Sequence, residues 1–296
     1  MDAAGSVLFF RRRCPSSTIP APKSFLVTRI DHLGDVLLSL PVAAELKKRY
    51  PQCRVVFLVS SAALALLKNN PDIDEVVLYD APWFVRQRGS KNRSFFGLAQ
   101  KLRAMRFDAA LSLRGDLREN LLVFMAGIGL RIGYGITGGG FLLNREIAYD
   151  TMVPESKRIG ALLKTLDIDP GPWRPKLYFD EAEKSEFESL WRAWGAQTSK
   201  KQVGLQMDAV VASRQWPAVY LKSFCDEFAR RFSDARLVLI GSKALAHVPA
   251  GAVDLTGKTT IRQLCLLLGR LDSFVGLDSG PSHLAAALEV PTLCLY

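Results

Sequence analysis

Short apolar runs of strand length recur along the chain, each followed by a stretch in which apolar positions return every three or four residues. Residues 25–30 (FLVTRI), 55–60, 75–79, 108–113 and 131–135 are such runs, and helical periods fill 36–50, 62–68, 95–106, 117–126 and 154–166. Strands that alternate with helices predict a parallel sheet covered on both faces. The pattern restarts in the second half. A charged helix over 181–194 leads to strands at 203–207, 237–240, 253–255, 273–277 and 292–296, with helices at 217–232, 261–271 and 282–288. Between the halves, DIDPGPWRP places three prolines in nine residues, which predicts a stiff connection. The expected organisation is therefore a disordered tail (1–22), a first α/β domain (23–168), a connection (169–176) and a second α/β domain (177–296). The tail carries Arg11, Arg12 and Arg13 after an apolar run of only four residues, the wrong order and length for a signal peptide. The last apolar strand has no following helix to cover it, so the second domain is expected to be incomplete at its C-terminal side.

Two turns stand out, because ligands bind such sheets beyond the carboxyl ends of the strands. After the first strand come Asp31, His32, Leu33, Gly34 and Asp35, which is not the GxGxxG of a dinucleotide site. Asp35 falls in the first helical turn, where a carboxylate either complements the helix dipole or acts as a general base at the ligand edge. After residues 273–277 come Asp278, Ser279, Gly280 and Pro281, then a helix start carrying His283. A serine hydroxyl, a histidine and a helix N-terminus at one sheet edge suit a phosphate or diphosphate, although the same residues also make an ordinary capped connection. GKTT at 257–260 imitates the end of a P-loop, but Ala252 stands where that loop needs its first glycine.

Composition narrows the class. The 296 residues are 49% hydrophobic and 23% charged, enough for two cores. The longest apolar run spans ten residues at 121–130, well short of the roughly 20 needed to cross a bilayer. Five widely separated cysteines show neither metal nor redox spacing and read as thiols in a reducing cytosol, so no metal site and no cofactor are expected. The net charge is +10, and it is uneven. Residues 1–150 hold 21 Lys/Arg against 13 Asp/Glu, whereas residues 151–296 hold 18 against 16. The densest patch contains Arg86, Arg88, Lys91 and Arg93, with no acidic residue between Asp80 and Asp108. An anionic partner such as a phosphorylated glycan or lipid head group suits it, and a solvated face is the plainer alternative. No nucleic-acid module accompanies the charge, and a nucleic-acid partner is not expected.

RIDHLGDVLLSLPVAAELKKRYP near the start, RQWP before the helix at 217–232, and DLTGKTTIRQLCLLLGRLDSFVGLDSGPSHLAAALEVPT near the end occur in an order that resembles glycosyltransferase family 9, the heptosyltransferases of lipopolysaccharide core synthesis. The resemblance covers residues 25–296. It implies the GT-B fold, with two facing Rossmann-like doubly wound domains, and an inverting, metal-independent transfer of heptose from ADP-heptose. The acceptor would be an anionic Kdo–lipid A type glycolipid at the inner membrane surface, reached by a cytoplasmic enzyme. On this reading Asp35 is the catalytic base. Arg214, Ser279, Gly280 and His283 hold the diphosphate, and Asp278 contacts the donor sugar. Arg86, Arg88, Lys91 and Arg93 are candidates for acceptor binding. The chain departs from the family pattern where Gln206, Met207 and Asp208 replace a His-Pro-Gly-like segment, and where residues 241–245 lack the acid that holds a ribose. A different nucleotide sugar, or a relative that binds without turnover, therefore remains an alternative.

Overall fold

The computed structural model describes residues 21–83, 94–196, 200–206, 208, 217–242, 248 and 251–295. The chain divides after Pro175 into two compact units. Residues 169–175 thus belong by their contacts to the first unit, where the Trp173 indole N–H donates to Leu38 O at 2.8 Å.

The first unit is built on β1 (Ser24–Arg29), β2 (Arg54–Val59), β3 (Glu75–Leu78), β4 (Ala109–Ser112), β5 (Leu130–Gly133) and β6 (Arg145–Glu146), the last not anticipated from its two-residue pairing. Every pairing is parallel, in the order β3-β2-β1-β4-β5-β6. Such strands are covered on both faces, which is why their sequences are apolar without alternation. Phe25, Leu26 and Val27 in β1 and Val55 through Val59 in β2 are wholly buried. The single helix expected after β1 is two: α1 (Leu33–Ser39) and α2 (Pro41–Arg49). Pro41 has no N–H to continue the ladder and instead starts the second helix, a position it favours. The helix expected at 62–68 contracts to a 3₁₀ turn (Ser61–Ala63) and one turn of α3 (Leu64–Leu67). Three longer helices follow as expected: α4 (Phe95–Ala104), α5 (Leu117–Met125) and α6 (Glu155–Lys164).

The second unit orders β7 (Lys201–Gln206), β8 (Ala235–Ile240), β9 (Val253–Asp254), β10 (Ser273–Leu277) and β11 (Thr292–Leu295) as β11-β10-β7-β8-β9, again all parallel. Around them lie α7 (Glu181–Ala193), α8 (Ala218–Arg231), α9 (Ile261–Leu268) and α10 (Gly280–Ala287). Helices α7 and α9 start at reciprocal caps, Asp180 with Glu183 and Thr260 with Gln263, so two first-turn donors are satisfied at each. The same Glu183 takes Arg262 at 2.5 Å and joins α7 to α9.

Both sheets reverse their strand order once. In the first, the chain moves outward from β1 to β3 and returns beside β1 as β4; in the second it moves outward from β7 to β9 and returns beside β7 as β10. At each reversal the two following loops run to opposite faces and leave a crevice at the carboxyl edge, the usual ligand position of doubly wound sheets.

Candidate active site

The two reversals carry the two turns that the sequence singles out. In the first unit, β1 ends on Arg29, whose side chain is almost wholly buried. A guanidinium leaves water only where carboxylates and carbonyls satisfy its fork. Arg29 meets Asp31 and Asp35 at 2.9 Å each, Glu155 at 2.6 Å and Leu113 O at 3.1 Å. Burial opposes its charge, but the three carboxylates outweigh burial and hold its pKa above the ordinary value. Asp35 lies in the first turn of α1 with a third of its side chain exposed, anchored on one side and accessible on the other. Asp31 is pushed up to about 6, chiefly by burial and against the pull of Arg29. Behind them Glu119 is buried, accepts from the Thr28 hydroxyl at 3.1 Å, and is pushed up to about 7 by burial and then by the charge of Asp31. Its Oε1 has no hydrogen-bond partner among the described residues.

In the second unit, β10 runs into α10 through Asp278 and Ser279. The helix starts at Gly280, two residues before the expected start at residue 282, and Pro281 is its second residue. Gly276 lets the helix come close: a Cβ there would lie 2.6 Å from the Phe274 ring and 2.8 Å from the Ser282 hydroxyl. Ser282 and His283 direct their N–H groups at Ser279 O, at 3.1 and 3.3 Å, and Pro281 has no N–H to offer. Of the first-turn donors, the helix itself leaves that of Gly280 for an anion. The His283 imidazole and Asp278 carboxylate stand 3.6 Å apart, both partly exposed. Ser279 does not cap its helix; its hydroxyl donates to Gln206 Oε1 at 2.9 Å, across the reversal to the end of β7, and lies 3.2 Å from Leu277 O.

The structure therefore brings Asp278, Ser279, Gly280 and His283 together and puts Asp35 at the matching edge of the first sheet. Arg214, Arg86, Arg88, Lys91 and Arg93 lie outside the described residues. Sequence reasoning missed Arg29 and Glu155, and it named Gln206 only as a departure from the family pattern. Arg29 and Gln206 had a signal: each is a polar residue at the carboxyl end of its strand, the edge where ligands bind in such sheets. Among the described residues, no group of three or more His, Cys, Asp or Glu is arranged to hold a metal ion.

The model of glycosyltransferase family 9 (heptosyltransferase) matches residues 95–296. The chain belongs to glycosyltransferase family 9. Among family relatives, lipopolysaccharide heptosyltransferase 2 of Escherichia coli strain K12 is 26% identical over 286 residues, covering 89% of this chain and 80% of that one. Its counterpart from Salmonella typhimurium is 25% identical, with the same coverage. The solved family 9 glycosyltransferase of Veillonella parvula superimposes with a TM-score of 0.76 at 21% identity, covering 93% of this chain and 80% of its own. The E. coli heptosyltransferase WaaC with ADP gives 0.70 at 20% identity, covering 92% and 87%. The fold of this family 9 chain is accordingly GT-B, with one Rossmann-like sheet in each unit.

Proposed function

We infer that this family 9 glycosyltransferase transfers heptose from ADP-heptose to a lipopolysaccharide core acceptor of the Kdo–lipid A type, with inversion at the anomeric carbon. The observation that carries the reading is the placement of its two candidate groups, each at the carboxyl edge of a doubly wound sheet and each beside the reversal of strand order. The relatives named as lipopolysaccharide heptosyltransferases and the ADP-bound neighbour support the acceptor class and the nucleotide.

On this reading the Asp35 carboxylate takes the proton of the acceptor hydroxyl as the oxygen forms its bond to the anomeric carbon. The bond from that carbon to the diphosphate oxygen breaks, and ADP departs with the bonding pair. The Gly280 N–H, His283 and Arg214 hold that charge as it grows, and Asp278 contacts the donor sugar. Charge neutralisation by these groups makes a metal ion unnecessary. The basic first half of the chain suits a phosphorylated acceptor presented at a membrane, and among the described residues no helix is long and apolar enough to cross one.

The test is transfer from ADP-heptose to a Kdo–lipid A acceptor, followed by mass spectrometry, with the anomeric configuration of the product read by NMR. Asp35→Asn is expected to lower kcat by roughly 10²–10⁴ while ADP still binds. Transfer at the unaltered rate would remove Asp35 from the mechanism, and retention of configuration would replace the single displacement. A different nucleotide sugar is the second reading. It is favoured by residues 241–245 after β8, which carry no acid to hold a ribose. Comparing ADP, UDP and GDP by thermal shift decides between them.

A further inference from the structure

Gln206 is buried to within 2% of full enclosure, and both ends of its amide are engaged at the sheet edge. Oε1 accepts from the Ser279 hydroxyl at 2.9 Å, and Nε2 donates to Asp208 O and lies 3.3 Å from Asp208 Oδ1. Asp208 in turn accepts from Ser242. The chain Ser279–Gln206–Asp208–Ser242 thus links the ends of β10, β7 and β8 across the reversal. It also fixes the amide's orientation. Turning the amide over would set its oxygen against Asp208 O and abandon that bond, so Oε1 stays aimed at Ser279.

A serine hydroxyl has one proton to donate. A diphosphate oxygen only accepts, so Ser279 can serve one only by withdrawing its proton from Gln206 Oε1, its nearer acceptor, and from the longer contact to Leu277 O. We propose that Gln206 is a specificity-setting positioning residue that keeps the Ser279 proton parked and yields it only to a charged acceptor at the mouth of α10. A neutral amide oxygen is the right competitor for that task. Charge-assisted hydrogen bonds are about twice as strong as neutral ones, so an anion displaces the amide while water or a neutral group gains little. This inference rests on the donor-site reading above and adds to it the residue that selects for charge.

The experiment measures ADP dissociation constants by calorimetry at pH 5.5 and pH 8. In Gln206→Glu the competing acceptor is itself an anion at the higher pH. Its ADP affinity is expected to fall about tenfold at pH 8, the equivalent of about 1.4 kcal/mol, and to return towards that of the unaltered protein at pH 5.5 as the buried carboxyl takes up a proton. Gln206→Met removes the nearer competing acceptor and leaves Ser279 only the longer contact to Leu277 O at 3.2 Å. It is expected to bind ADP about threefold more tightly, in keeping with the loss of one neutral hydrogen bond, and to have no effect on ADP affinity in a Ser279→Ala background. A Gln206→Glu deficit that is equal at both pH values would overturn the proposal. So would a Gln206→Met loss of the same size with and without the Ser279 hydroxyl, because Gln206 would then act only as a structural brace. Absence of ADP binding by the unaltered protein would instead overturn the donor assignment and the ligand named here.

Discussion

The two sheet edges solve the same topological problem with different chemistry. The edge beyond β1 is ionic: Arg29 gathers Asp31, Asp35 and Glu155, and Arg158 adds a second cation to Glu155 at 2.8 Å. The edge beyond β10 is held mainly by neutral hydrogen bonds, from Ser279 to Gln206 and from Ser282 to Leu277 O. On the function proposed above, the difference follows from what each edge would have to hold. A base must keep its own charge in one place, and a buried counter-ion does that. A pocket for an anion must present donors, and hydroxyls and a helix start do that, with the Asp278 and Asp208 carboxylates held to His283 and Ser242.

The comparison breaks most visibly at Arg29. Arg29→Met would leave Asp31, Asp35 and Glu155 without their shared cation, with an expected loss of about 3–5 kcal/mol in chemical denaturation. A loss below about 1 kcal/mol would mean the three carboxylates do not depend on it. The neutral edge depends on close packing instead. Gly276→Ala would push a methyl group into Phe274 and Ser282, an overpacking cost of about 1–3 kcal/mol by the same measurement, together with weaker ADP binding as α10 is displaced. Intact ADP affinity would show that the helix start tolerates displacement.

Stability against pH separates the edges further. Asp31 and Glu119 have folded-state values raised to about 6 and about 7, so the folded protein holds their protons more tightly than the unfolded chain does. Their contribution is present below the ordinary carboxylate values of 3.8 and 4.5 and is lost as the pH rises through about 6 to 7. Denaturation midpoints are therefore expected to decline between pH 4.5 and 7. Glu119→Gln should flatten part of that decline, by roughly 1–3 kcal/mol. An unchanged slope in that variant would exclude Glu119 as a source. The smallest effect belongs to exposed pairs such as Lys222–Asp226 on α8, where Asp226→Ala should cost less than about 0.5 kcal/mol.

Most elements were legible from period alone, because uninterrupted apolar strands alternating with amphipathic helices admit few arrangements other than parallel sheets. The exceptions have local causes. Pro41 divides a helix whose apolar period runs straight through it, and β6 is two residues long, too short to carry any period. At the site, the residues of the turns were legible because Asp, Ser, Gly and Pro carry backbone signals of their own. Their partners were not. Arg29 finds Glu155 at a separation of 126 residues and Ser279 finds Gln206 at 73, and no local pattern reports such distances. The hydroxyl of Ser279 shows the limit most clearly: its type suggested a cap or a ligand donor, and only the fold reveals a third partner.

The reversals also dictate how the protein matures. Phe25 pairs with Ala109 and Val203 with Ser273, so each central strand waits for a neighbour made long after it. During synthesis β1 and β7 each spend an interval with one flank unpaired, and neither sheet closes until its returning strand has left the ribosome. The seams between β1 and β4 and between β7 and β10 thus close late, with only β5 and β6 in the first sheet and β11 in the second still to be added at an outer edge.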